Sequence, residues 1–211
     1  KNNAKPFNRM FTRKMAYSVW NIIPINSPQI DEKHVAPYPE DIPRRLVQLY
    51  TYKNETDVVV MLDQVTDPNN IGSIMRSCSL FNSKSIIVSN DNAPDVTATM
   101  AKAASGALES VNYISVVNLS RAMIQFKKNN YWIYGFDSNK NNNQNINLDL
   151  PKKCVLVFGS EGKGLRNLIK KECDTLVSIP MQTHEKYSID SLNVSNACSI
   201  ALYEHFKNNI K

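Results

Sequence analysis

Residues 157–166 read VFGSEGKGLR. The chain has 211 residues and only six glycines, and three of them, Gly159, Gly162 and Gly164, fall in these ten positions. A glycine cluster straight after an apolar run is where many α/β proteins cradle phosphate, so what this turn can hold settles the kind of protein. Two phosphate motifs fail here. A P-loop needs G-x-x-x-x-G-K-[ST], but Gly164 is followed by Leu165 and Arg166. The dinucleotide pattern G-x-G-x-x-G has Asn167 where its third glycine belongs. Glu161 lies mid-turn, and its carboxylate would repel a pyrophosphate. The turn therefore suits a neutral or cationic ligand lying against the main chain. On spacing alone, a plain strand-to-helix turn with nothing bound stands beside that reading.

Outward from this turn the pattern is regular from Asp57 onward. Strands are expected at 57–62, 85–89, 111–116, 131–136, 154–158 and 175–180, each nearly continuously apolar. Between them, helical spacing predicts helices over 70–81, 95–105 with Asp95 as cap, 118–130, 164–171 and 193–206. Alternating apolar strands and helices argue for an α/β fold with a mostly parallel sheet and helices on both faces. Such sheets bind ligands beyond the C-terminal ends of their strands. Attention therefore falls on the segments after 57–62, 154–158 and 175–180. The polar run 138–149 reads as a surface loop.

The first of those segments is DQVTDPNNIGSIMR (63–76), a turn and helix cap with Gly72 allowing close approach. Arg76, on an otherwise apolar helix, reads either as a surface charge or as a planar fork for a phosphate. The third segment crowds Ser191, Asn193, Ser195 and Asn196 at the start of the last helix, more than one cap requires.

Apolar content of 42% and charge of 21% are ordinary for a folded domain. No apolar run nears the roughly 20 residues of a membrane span, so no membrane role is expected. No signal peptide is legible, and because residue 1 is Lys rather than Met the natural N-terminus is expected upstream. The net charge of +6 favours a polyanionic partner. Residues 1–30 carry Lys1, Lys5, Arg9, Arg13 and Lys14 and no acid. With five prolines between 24 and 43, residues 1–56 read as an irregular basic arm and linker. The arm is a solvated tail, an RNA-contacting segment or the remnant of an auxiliary domain; residues 57–211 form the main domain. The four cysteines and three histidines are dispersed, so no metal site is expected. Cys78 and Cys198 sit at core spacing and read as small apolar residues in a reducing, cytoplasmic setting.

Three ordered segments, LDQVTDPNNIGSIMRSC (62–78), VLVFGSEGKGLR (155–166) and VSIPMQTHEKYSIDSLNVSNACSIALYE (177–204), together resemble the SpoU/TrmH family of SPOUT RNA methyltransferases. The resemblance implies transfer of a methyl group from S-adenosylmethionine to a ribose 2′-OH of structured RNA. It also implies a homodimer and a deep trefoil knot at the C-terminus. Asn70, Arg76, Glu161, Ser191 and Asn193 match the family's catalytic and substrate positions. Gly159, Gly164, Ile179 and Leu192 match those along the cofactor, which has a sulfonium and no phosphate. The family's proposed proton acceptor corresponds to Arg76. A guanidinium keeps its proton to above pH ~12, so Arg76 better serves to hold a phosphate and stabilise charge on the 2′-oxygen. The loop before Ser191 is about four residues longer than the family pattern, by count on the sequence. The arm is similar to the linker of the ribosomal-RNA branch. A guanosine of 23S-type ribosomal RNA is therefore the first expected substrate and transfer RNA the second. A silent RNA-binding protein and a base methyltransferase are the competing readings.

Overall fold

The run DVVVMLD, Asp57–Asp63, forms strand β1, buried at every position. Consecutive valines suit a strand covered on both sides. The computed structural model describes residues 57–91, 93–137, 149–181 and 191–209. The expected arm at 1–56, most of the polar loop and most of the lengthened loop before Ser191 lie outside the described residues. Five strands follow β1: β2 Ser85–Ser89, β3 Asn112–Val116, β4 Trp132–Phe136, β5 Lys153–Gly159 and β6 Thr175–Val177. They form one sheet in the order β3-β2-β1-β5-β4-β6, with every pairing parallel. The intervening helices are α1 Pro68–Leu80, α2 Ala98–Ala104, α3 Leu119–Lys128, α4 Asn167–Glu172 and α5 Val194–Asn209.

Side chains alternate across the sheet. Val58, Val60, Leu62, Leu156 and Phe158 face a layer made of α1, α2 and α5. Val59, Met61, Val155 and Val157 face the other way, where Met123 and Phe126 of α3 and Ile169 of α4 are buried. The expected layers are thus present. Gly72 lets α1 and α2 touch: a Cβ there would lie 2.5 Å from Met100 O and 2.7 Å from Ala103 Cβ. Cys78 and Cys198 are fully buried where α1 meets α5, and all four cysteines are free thiols. Burial pushes the Cys78 thiol up to about 12, which leaves it inert.

Several boundaries differ from the periodicity, each for a local reason. Helix α1 starts at Pro68 rather than 70, because the Asp67 carboxylate accepts from Asn69 N at 2.9 Å and Pro68 needs no N–H partner in the first turn. The cap expected at Asp95 is Thr97, whose Oγ1 accepts from Met100 N at 3.1 Å, so α2 begins at Ala98. Helix α4 begins at Asn167 rather than 164, since Gly164 has φ +65° and Arg166 is extended. Strand β6 stops at Val177 rather than 180, because its partner β4 ends opposite, at Phe136.

Helix α5 is tied to the segment that leads into β5. His205 is 2% exposed with Nε2 3.2 Å from Pro151 O, and Asn209 Nδ2 donates to Leu150 O at 3.4 Å. Burial holds the His205 imidazole below its ordinary 6.5, only partly countered by the backbone carbonyls. The unfolded chain therefore binds the proton more readily than the folded one. His205's contribution is complete above pH 6.5 and shrinks as pH falls below that value, until the folded imidazole also protonates. Thermal melts should show a midpoint that drops with acidification below 6.5, and His205→Gln should flatten that part of the profile.

Candidate functional site

Strands β1 and β5 lie side by side, with Asp63 in register with Gly159 at their C-terminal ends. From β1 the chain leaves through α1 towards β2, and from β5 through α4 towards β6 on the other side. Diverging exits from adjacent parallel strands open a crevice. The third expected segment arrives at the same place, because α5 starts there and packs on α1 and β5.

Asn70, Glu161 and Asn193, which come from three separate segments, meet in one hydrogen-bonded cluster. Asn193 Nδ2 donates to Glu161 Oε1 at 2.6 Å and to Asn70 Oδ1 at 2.9 Å. Asn70 Nδ2 donates to the same Glu161 Oε1 at 3.2 Å. The direction of the Asn193 amide is set from behind. Its Oδ1 accepts from Ser195 N at 2.9 Å and from Ser195 Oγ at 2.5 Å, so its amino group must face Glu161. Asn193 thus caps α5 and orients the carboxylate at once. The result is a preset acceptor, with charge-assisted bonds, at the mouth of the crevice.

Beside the cluster lies a cleft lined by Gly159, Glu161, Gly164, Ile179, Ser191 and Leu192, so six of the nine expected site residues border one space. Phe136 and Phe158, stacked with centroids 4.6 Å apart, also line it. Among the described lining residues the ionisable groups are the carboxylates of Asp137 and Glu161, with no Lys or Arg. Asp137 is paired with Lys170 at 2.6 Å, so the charge that disfavours phosphate and suits a cation is that of Glu161. Gly159 has a cause besides the expected one. A Cβ on Gly159 would lie 2.1 Å from Gly164 C and 2.3 Å from Gly164 O. Gly164 N donates to Ser160 O at 2.9 Å as the turn closes. The bare backbone at 159 is demanded first by the turn folding on itself, and the cleft is the result.

Arg76 is not brought to this cluster within the chain. It lies six residues after Asn70 on α1, which is about 120° around the helix, and is exposed. No hydrogen bond or ion pair joins it to Asn70, Glu161 or Asn193. Sequence reasoning also passed over Asp63, Arg166, Asp137 and the role of Ser195. Asp63 is 0% exposed and is bonded by Arg166, while Asp137 pairs with Lys170 at 2.6 Å. The available signal for Asp63 was a charged residue directly after the apolar run 58–62. Among the described residues, no group of three or more His, Cys, Asp or Glu could hold a metal, and no helix is long and apolar enough to cross a membrane.

The sequence profile of the SpoU rRNA Methylase family matches residues 57–203, over two thirds of the chain. The chain belongs to the SpoU rRNA methylase family. Among its SpoU-type relatives are a tRNA/rRNA methyltransferase of Synechocystis described as uncharacterized, 36% identical over 82% of this chain and 44% of its own length, and the putative TrmH family tRNA/rRNA methyltransferase YacO of Bacillus subtilis, 36% identical over 74% and 60%. The 23S rRNA (guanosine-2′-O-)-methyltransferase RlmB of Ralstonia nicotianae is 37% identical over 70% of this chain and 57% of its own. The chain thus spans about half the length of these relatives. Of solved structures, the SpoU methyltransferase AviRb of Streptomyces viridochromogenes, in complex with AdoMet, aligns with a TM-score of 0.64 at 28% identity, over 75% of this chain and 60% of that one.

Proposed function

We propose that this chain transfers the methyl group of S-adenosylmethionine to a ribose 2′-hydroxyl of RNA. The observation that carries the reading is the convergence of Asn70, Glu161 and Asn193 beside a cleft whose described lining has carboxylates and no cation. That lining fits a sulfonium compound and fits a nucleoside phosphate poorly. The apolar Ile179 and Leu192 and the bare turn would hold the cofactor, which supplies an electrophilic methyl group when bound. The Asn70–Glu161–Asn193 cluster and Ser191 would seat the target nucleotide. Holding the ribose oxygen roughly 3 Å from the methyl carbon, and in line, provides much of the rate. The Arg76 guanidinium would grip the neighbouring phosphate and stabilise negative charge as it develops on the 2′-oxygen.

A homodimer is part of the reading. Arg76 and Leu80 share a stripe of α1 at i, i+4. Leu80 is 65% exposed, and α5, which packs on α1, exposes Tyr203 (50%) and Ile200 (39%). A second copy covering this apolar face would bring its Arg76 towards the first copy's cleft. Light scattering should then give twice the 23.9 kDa of one chain. A C-terminal trefoil and a cytoplasmic setting belong to the same proposal, the first supported by family membership and the second by the four free thiols. The basic arm at 1–56 would contact RNA backbone.

A guanosine of 23S-type ribosomal RNA is the favoured substrate, supported by the RlmB relative, and transfer RNA comes second, supported by the mixed tRNA/rRNA descriptions of the others. Incubation with each purified RNA and labelled cofactor, followed by nuclease digestion, tests this. The expected label sits on ribose. Label on a base would replace the reaction, and failure to bind S-adenosylmethionine in a calorimetric titration would leave an RNA-binding protein without catalysis.

A further inference from the structure

Asp63 ends β1 and is 0% exposed, at the strand ends where the crevice opens. Its Oδ1 accepts from Arg166 Nε at 2.7 Å and lies 2.7 Å from the Nη2 nitrogen of the same guanidinium. Its Oδ2 accepts from the backbone N–H of Arg166 at 2.9 Å, and Arg166 is the extended residue immediately before α4. The turn that carries Glu161 is therefore held to β1 at both ends. Gly159 is in register with Asp63 at one end, and Arg166 is bonded to Asp63 at the other. The same Asp63 begins the segment that delivers Asn70. One buried carboxylate thus fixes the spacing between the two loops whose side chains must meet at Glu161 Oε1.

We propose that Asp63 and Arg166 are positioning residues that set the Glu161 carboxylate for its bonds from Asn70 and Asn193. A fork held on both its Nε and Nη edges resists rotation as a lysine ammonium does not. The inference deepens the methyltransferase reading and rests on it for its catalytic half. Its geometric half stands apart, because the cluster exists in the chain without substrate.

The test compares Arg166→Lys, Arg166→Met and the paired Asp63→Asn/Arg166→Met, which leaves no bare buried charge, on the full chain. In proteins labelled with 15N-asparagine, the side-chain amide signals of Asn70 and Asn193 should move towards those of Glu161→Gln in every variant that melts like the wild type. Turnover should fall by ~10²-fold in Arg166→Met, the loss expected for a displacement of about 1 Å, with Arg166→Lys in between. Adding Arg166→Met to Glu161→Gln should cost nothing further, because both act through one carboxylate. Amide signals that stay at their wild-type positions, or losses that add in the double variant, overturn the proposal. If the wild-type chain methylates no RNA, the functional reading falls, and the amide signals alone decide the positioning.

Discussion

Arg76→Ala is expected to bind S-adenosylmethionine like the wild type and to lose methyl transfer by ~10²–10³-fold, the range for removing one preset charge-stabilising group. Arg76 is exposed on α1, lines no part of the chain's own cleft and touches no member of the Asn70–Glu161–Asn193 cluster. Its removal should therefore leave the fold and the cofactor site intact. A labelled-methyl assay and a calorimetric titration read the two halves separately. Arg76→Lys should recover only part of the rate, because an ammonium lacks the planar fork.

The same residue tests whether the site is shared between copies. Glu161→Gln damages the cleft side and Arg76→Ala the donated side. If Arg76 serves the partner's cleft, a mixed dimer of the two variants has one complete site and one doubly damaged site. Equal mixing should then restore about a quarter of wild-type activity, since half of the dimers are mixed and half of their sites are whole. If Arg76 acts in its own chain, every site in the mixture carries one lesion and no activity returns. Full activity in Arg76→Ala alone would remove its role altogether.

Gly159→Ala carries the largest expected effect on stability. The added Cβ would lie 2.1 Å from a backbone carbon of Gly164 and 2.4 Å from Leu165 N, and no rotation of a side chain can relieve contacts with main chain. Overpacking costs about 1–3 kcal/mol, and contacts this short with main chain put Gly159→Ala at the upper end of that range. Opening the turn would also draw Gly164 and Glu161 from the cleft wall, so cofactor affinity should fall with stability. Gly162→Ala is the control. Its Cβ would meet nothing within 4 Å, so its stability cost is that of its φ of +80° alone, about 1–2 kcal/mol, although the residue borders the cleft. Urea denaturation of the two variants, with titration of cofactor into each, separates a clash from a strained turn. Equal behaviour of the two would show that Gly159 is not the pivot of the turn.

Much of this protein can be read along the chain. The six strands and five principal helices follow from apolar runs and helical spacing, because burial on a sheet face or a helix stripe leaves a local period. Glu161 mid-turn argues against phosphate from the sequence alone, since the sign of a charge needs no coordinates. Three ordered motifs pointed to Asn70, Glu161 and Asn193, and these are the side chains that meet. Other features depend on residues far apart. The insertion of β5 between β1 and β4, the pairing of Asp63 with Arg166 across 103 positions, and the clash that keeps Gly159 bare are set by packing. Periodicity reports which face a residue turns inward and is silent on what waits there. Arg76 shows the same limit: helical spacing puts it on α1, but its direction away from the chain's own cleft appears only once α1 is laid on the sheet.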